Sequence, residues 1–114
     1  KISARCVDIM TNTFNCKPKD ILVAIGPSIG PCCFEFGSDA PDYFDEKYQE
    51  KLPNGRFMIN LPYMISDTLT DKGISRKNID ISGVCTVCNS DKYYSYRAHK
   101  DHTGRQGAVI MLKG

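Results

Sequence analysis

The sequence predicts an α+β domain in which a mixed β-sheet is layered with helices, and three observations carry that prediction. Apolar residues recur at helical spacing over residues 2–14 and 61–72. Apolar or alternating runs too short for helices lie at residues 21–25, 57–59, 79–81, 93–97 and 108–112. Helices alternate with strands at first and then give way to three strands in succession, an order that fits a mixed sheet better than a purely parallel one.

Taken in order, Ile2, Cys6, Ile9, Met10 and Phe14 stand three and four apart, which predicts an amphipathic helix over residues 2–14. Residues 16–20 turn around Pro18, and the unbroken apolar run 21–25 reads as a strand buried on both faces. Gly26-Pro27-Ser28-Ile29-Gly30-Pro31 is a rigid loop, because its prolines fix φ while its glycines allow unusual backbone angles. Residues 32–36 read as extended. A helix is predicted from Gly37 and Ser38 to about Tyr48, with Asp39 and Asp42 at the positive end of its dipole.

Leu52-Pro53-Asn54-Gly55 is a turn and residues 57–59 a short strand. Asn60 then caps a helix with Pro62 in its first turn, Leu61, Ile65 and Leu69 facing inward, and Gly73 where a left-handed closing glycine belongs. Ile79 and Ile81 alternate with Asn78, Asp80 and Ser82 as a half-buried strand; residues 93–97 read as another, and 108–112 as a last buried one.

The 114 residues, 41% apolar and 25% charged, exclude disordered and collagen-like classes and fit one domain, residues 1–114. Fifteen lysines and arginines against thirteen acids are spread along the chain without the clustered patch that phosphate backbones require, so no nucleic-acid partner is expected. No apolar run approaches the roughly 20 residues of a membrane span, and no signal-peptide core follows Lys1, so a soluble chain is expected. The helical pattern starts at Ile2 without a capping residue and the first residue is not Met, which reads as a fragment or a processed chain.

The six cysteines, Cys6, Cys16, Cys32, Cys33, Cys85 and Cys88, read as reduced, intracellular thiols. Cys32, Cys33, Cys85 and Cys88 can be written as four ligands of a zinc ion. Against this, adjacent cysteines on an extended segment point to opposite sides, so small buried or half-buried thiols are the preferred reading. Cys85-Thr86-Val87-Cys88 does not lie between a strand and a helix N-terminus, as a redox pair would. His99 and His102 sit among charges without a third ligand nearby and are assigned no catalytic role. No phosphate loop ending in Gly-Lys-Ser/Thr is present. Arg97 closes the run Tyr93-Tyr94-Ser95-Tyr96-Arg97, and Arg105 follows Thr103-Gly104. Guanidinium groups beside hydroxyls and aromatic rings suit capture of a phosphate or carboxylate next to a planar ring; on the residues alone a surface ion pair is the preferred reading.

Four segments together resemble one family. Ile25-Gly26-Pro27-Ser28-Ile29-Gly30-Pro31-Cys32-Cys33-Phe34-Glu35, then Cys85-Thr86, then Tyr94-Ser95-Tyr96-Arg97, then Thr103-Gly104-Arg105-Gln106 are similar to the ordered motifs of the laccase-domain or polyphenol oxidase family, regarded as purine nucleoside phosphorylases. The resemblance covers the C-terminal half of a domain of about 250 residues, at the upper end of ordinary domain sizes. It implies an α+β fold with duplicated strand-helix-strand units, and a metal-dependent enzyme that splits adenosine, inosine or guanosine with phosphate. Adenosine deamination, phosphorolysis of methylthioadenosine and phenol oxidation are further family activities.

The metal of that family, zinc or copper, is held by two histidines and a cysteine in motifs reading Gln-Val-His-Gly, Ala-Asp-Cys and His-Ala-Gly-Trp-Arg-Gly. None of these strings occurs here, so the resemblance implies that the ligands are not in this chain. It places Ser28, Gly30, Cys85, Arg97 and Arg105 on the substrate side of the pocket, with catalytic residues unassigned. The second arginine of the family's Ser-Tyr-Arg-Arg motif is Ala98 here. A cytoplasmic chain is expected, one that needs the N-terminal half of its domain as partner and gives no turnover alone. Two alternatives from other classes are a small zinc-stapled or protein-binding module using Cys32, Cys33, Cys85 and Cys88, and a cysteine hydrolase using Cys85 with a histidine base still to be placed.

Overall fold

The structure, a computed structural model, describes residues 2–114. Helix α1 (Ile2–Phe14) forms where the spacing predicts it, but Val7 alone on it is buried; Cys6, Ile9, Met10 and Phe14 are exposed. It closes where Asn15 takes a left-handed φ of 57° and Cys16 N–H donates back to the Met10 carbonyl at 3.0 Å.

Strand β1 (Val23–Ile25) pairs in parallel with β5 (Ile79–Ile81), Val23 opposite Ile79 and Ile25 opposite Ile81. The expected five-residue strand is therefore three residues long, and it is not buried on both faces: Leu22 is 79% exposed and Ala24 also faces solvent. A two-stranded sheet with one face on the core leaves alternate side chains outside. The antiparallel pairing lies in a second sheet, ordered β2 (Glu35–Phe36), β4 (Phe57–Ile59), β3 (Gln49–Lys51). The predicted turn at residues 52–55 joins β3 to β4, with Gly55 N–H donating to the Leu52 carbonyl at 3.0 Å. The α+β class stands, with its parallel and antiparallel pairings in separate sheets rather than in one.

The helix expected from Gly37 to about Tyr48 is absent, and two single 3-10 turns, Ala40–Asp42 and Glu46–Tyr48, take its place. Pro41 removes a backbone donor, and Asp45 is extended (ψ 142°), its side chain accepting from Lys47 N–H at 3.2 Å to start the second turn. That break frees residues 49–51 to pair as β3, a strand the sequence pattern did not reveal.

Helix α2 (Leu61–Asp71) is punctuated as predicted. The Asn60 side chain accepts from Tyr63 N–H at 3.2 Å and Pro62 stands in the first turn. At the other end Gly73 has a φ of 94°, its N–H donates to Thr70 at 2.9 Å, and Ile74 N–H donates to Leu69 at 3.2 Å. These paired bonds end the helix and place Ile74 against Leu69. Val7, Leu69 and Ile74 form a core, packed by Ile21, Val23, Ile65 and Ile79, that joins both helices to the parallel sheet. On the other side of α2, Asp67 receives Tyr48 Oη at 2.9 Å, Lys47 Nζ at 3.0 Å and Arg76 at 2.7 Å. The Arg76 bond foremost, then those from Lys47 and Tyr48, bring its carboxyl down to about 2.

Two further expectations fail. Residues 93–97 are not a strand: Ser95 caps a short helix α3 (Tyr96–His99) by accepting from Ala98 N–H at 3.3 Å. Residues 108–112 form no buried strand, and Val109, Ile110, Met111 and Leu112 are 83–98% exposed. A strand needs an edge to satisfy its backbone donors, and among the described residues none pairs with this segment.

Candidate functional site

Beyond the carboxyl ends of β1 and β5 the two chains continue side by side. Ser82 N–H donates to Ile25 at 2.9 Å, Ser28 N–H to Val84 at 3.2 Å and Thr86 N–H to Ser28 at 3.0 Å, so Ser28 pairs with Cys85 as one more parallel bridge. Ligands of open α/β sheets gather at this end of parallel strands. A cleft of about 330 Å³ lies there, lined among others by Ser28, Gly30, Asn60, Tyr63, Ser82 and Val84. Gly26 and Ser28 also border a second groove with Tyr93 and Gln106, so the loop carrying them separates two concavities.

The loop ends in a turn. Cys33 and Phe34 N–H both donate to the Gly30 carbonyl, at 3.0 and 2.9 Å, and strand geometry begins only at Glu35. Successive side chains in such a turn diverge by about 100° rather than 180°. The expectation that Cys32 and Cys33 point to opposite sides is therefore overturned: both face the 85–88 turn, which Asn89 N–H closes on the Cys85 carbonyl at 3.1 Å. All four sulfurs lie within 4.8 Å of one another, and Cys88 Sγ is 3.5 Å from both Cys32 Sγ and Cys33 Sγ. Gly30 permits this approach, since a Cβ on it would stand 3.3 Å from both Cys32 Sγ and Cys85 Cβ.

Cys85 is buried, which by itself disfavours its thiolate. Backbone N–H groups of Cys88, Gly30 (3.3 Å to Sγ) and Val87 outweigh burial and bring the thiol down to about 6. The hydrogen bond to Cys88, then burial, push Cys33 the other way, up to about 12, and Cys32 is raised by Cys88 first and then by Cys85. Backbone donors thus favour the thiolate at Cys85, while the neighbouring sulfurs favour the thiol at Cys32 and Cys33. The four thiols form a group that can hold a metal ion.

Ser28, Gly30 and Cys85, assigned to the substrate side by motif resemblance, are brought together by this ladder. Arg97 stands apart from them in its contacts: its guanidinium lies 5.7 Å from the Phe34 ring centroid and donates to the Glu35 carbonyl at 3.2 Å. Arg105 donates to the neighbouring Gly104 carbonyl at 3.1 Å and lines a groove with Tyr94 and Tyr96. His99 Nδ1 sits 3.2 Å from Ser95 N, bracing the start of α3, and with His102 borders a separate groove. Asn60 and Tyr63 line the cleft but escaped the sequence reading, which assigned Asn60 to helix capping alone; their position depends on α2 packing beside the β1 loop. Phe34 was likewise missed as the ring under Arg97.

The comparisons with known proteins agree with this architecture. A Haemophilus influenzae protein named purine nucleoside phosphorylase is 33% identical over 108 residues, covering 88% of this chain and 43% of its own length. Purine nucleoside phosphorylase YlmD of Geobacillus stearothermophilus is 31% identical over 100 residues, covering 82% of this chain and 36% of its own length. The crystal structure of the Bacillus licheniformis hypothetical protein YfiH superposes with a TM-score of 0.77 at 27% identity, covering 85% of this chain and 39% of that one. The chain thus spans less than half the length of these relatives. With residues 1–113 matching its family model, the chain belongs to the multi-copper polyphenol oxidoreductase laccase family.

Proposed function

We propose that the chain is the C-terminal, substrate-facing part of a purine nucleoside phosphorylase acting on adenosine, inosine or guanosine. The carrying observation is the cleft at the ends of β1 and β5, bordered by Ser28 and Gly30, in a chain whose relatives bear that name. In phosphorolysis a phosphate oxygen attacks the ribosyl C1′, and the bond from C1′ to the purine nitrogen breaks with its electron pair on the base, which leaves protonated. On this reading the fixed backbone around Ser28 and Gly30 orients the nucleoside. Arg97 and Arg105 hold the phosphate through charge-assisted hydrogen bonds, and Tyr94 and Tyr96 beside Arg105 offer faces for the purine.

The zinc or copper that the family resemblance implies is assigned no step here, because the residues of this chain do not fit a centre of two histidines and a cysteine. His99 turns Nδ1 to Ser95, and the convergent cysteines form a donor set without an imidazole. The ligands then belong to the rest of the family domain, which is the partner this reading requires, and the 114 residues alone give no turnover. The exposed apolar residues Val109, Ile110, Met111 and Leu112 support such a partner. Reduced thiols agree with the cytoplasm, and no helix is long and apolar enough to cross a membrane.

The test replaces the matching segment of the Haemophilus influenzae relative with this chain. The chimaera is expected to release hypoxanthine from inosine only when phosphate is present, and Arg97→Ala or Arg105→Ala to raise the KM for phosphate about tenfold or more. A folded chimaera without turnover, or one whose turnover ignores phosphate, overturns the proposal. Adenosine, methylthioadenosine and a phenol offered to the same chimaera decide whether deamination, methylthioadenosine phosphorolysis or phenol oxidation belongs to it.

A further inference from the structure

Four sulfurs placed about 2.3 Å from a central ion at tetrahedral angles stand about 3.8 Å from one another. In this chain Cys88 Sγ stands 3.5 Å from two partners, and all four sulfurs lie within 4.8 Å. Nothing in that arrangement selects one pair for a disulfide, since Cys88 is equally near Cys32 and Cys33. The scaffold has the form of a metal knuckle: two turns, residues 30–34 and 85–89, each closed by backbone bonds and each offering two thiols. Gly30 N–H points at Cys85 Sγ at 3.3 Å, the type of donor that supports a ligating sulfur. A soft, all-sulfur tetrahedral donor set selects zinc over hard cations such as magnesium or calcium.

We infer that Cys32, Cys33, Cys85 and Cys88 bind one zinc ion as a closed tetrathiolate. Four protein ligands leave no position for substrate, so the ion is structural. It clamps the loop bearing Ser28 and Gly30 to the 85–88 turn. The site stands on these sulfur positions alone and holds whether or not the chain serves a phosphorylase.

The experiment uses the whole chain, purified under reducing conditions, with metal analysis, titration by cobalt(II) chloride and thiol alkylation. Expected are one zinc per chain, and, after exchange, one cobalt with strong sulfur-to-metal charge transfer and the intense visible bands of a tetrahedral ion. Cys6 and Cys16 should alkylate at once while the other four are protected until a chelator is added. Cys88→Ser should lose the tetrahedral spectrum. Because that variant can also unfold, Cys88→His is the second: it should keep one cobalt with a weakened, shifted charge-transfer band, whereas Cys16→Ser should match the wild type. The inference fails if the reduced chain takes up no zinc or cobalt, if cobalt gives the weak spectrum of an octahedral ion, or if Cys88→His leaves the spectrum unchanged. A disulfide from Cys88 to Cys32 or Cys33 in place of the metal overturns it equally.

Discussion

Replacing Ile74 by alanine tests the joint on which the core is built. Ile74 is 1% exposed, and the Gly73 turn inserts it against Leu69, with Val7, Ile21, Val23, Ile65 and Ile79 around it. Ile74→Ala removes three carbons, worth about 2.4 kcal/mol of transfer free energy at ~0.8 kcal/mol each. A cavity term raises the loss to about 3–4 kcal/mol, because both helices and the parallel sheet meet there and collapse into the space would strain all three. Against a total of roughly 5–15 kcal/mol for such a domain this is a large fraction. In urea unfolding, with a slope of about 1.5 kcal/mol per molar, the midpoint should fall by roughly 2 M. Ile110→Ala, at a residue 98% exposed, is the control and should move stability by less than ~0.5 kcal/mol. A loss below about 1 kcal/mol for Ile74→Ala, or equal losses for the two variants, would refute the placement of Ile74 and with it the closure of α2 by Gly73.

Gly30→Ala should destabilise the chain by about 1–2 kcal/mol, because the added carbon meets Cys32 Sγ and Cys85 Cβ at 3.3 Å each. Gly26→Ala, where nothing lies within 4 Å, should be nearly neutral, and equal urea midpoints for the two variants would contradict the close approach. Asp67 titrates at about 2 in the folded chain, below its ordinary value of 3.8, so the unfolded chain binds more protons between those values. The contribution of Asp67 is therefore fully present above about pH 4 and lost as pH falls through about 2. Stability measured from about pH 2 to 5 should rise more steeply in the wild type than in Asp67→Asn, the gap closing toward the acid end. Parallel curves would show that Arg76, Lys47 and Tyr48 do not hold the carboxylate.

What could be read from the sequence was what is decided locally. Asn60, Pro62 and Gly73 punctuate α2 through bonds to residues three to five positions away, so the chain itself states where that helix begins and ends. Residues 37–48 have helix-compatible charges at their start, but Pro41 and the extended Asp45 divide them, and a count of apolar spacing does not weigh one missing donor. Residues 93–97 are rich in tyrosine, which favours strands, yet the Ser95 side chain captures the Ala98 amide and turns the chain into α3. Residues 108–112 have strand composition, but strands are made by their neighbours. For the cysteines the overlooked signal was Gly30-Pro31: a proline in the second place of a four-residue turn predicts that Cys33 N–H returns to the Gly30 carbonyl, at 3.0 Å here, and a turn brings adjacent thiols to one side where a strand would part them.

Segment 30–36 shows why the site could not be assembled from motifs alone. Its first residues carry the Gly30 approach and two thiols, the next, Phe34, lies under Arg97, and its last two enter the antiparallel sheet as β2 opposite Phe57 and Met58. The parallel ladder fixes Ser28 against Cys85 from one direction, and β2 holds the far end of the same segment from the other. A segment anchored at both ends this way has little freedom left, so the sulfur positions follow from the two sheets rather than from the cysteines. The order of dependence runs from the packed helices and sheets, through the two turns they hold, to the thiols and Arg97. Loosening the turns should therefore disturb Arg97 as well as the sulfurs, while loosening Arg97 should leave the sulfurs in place.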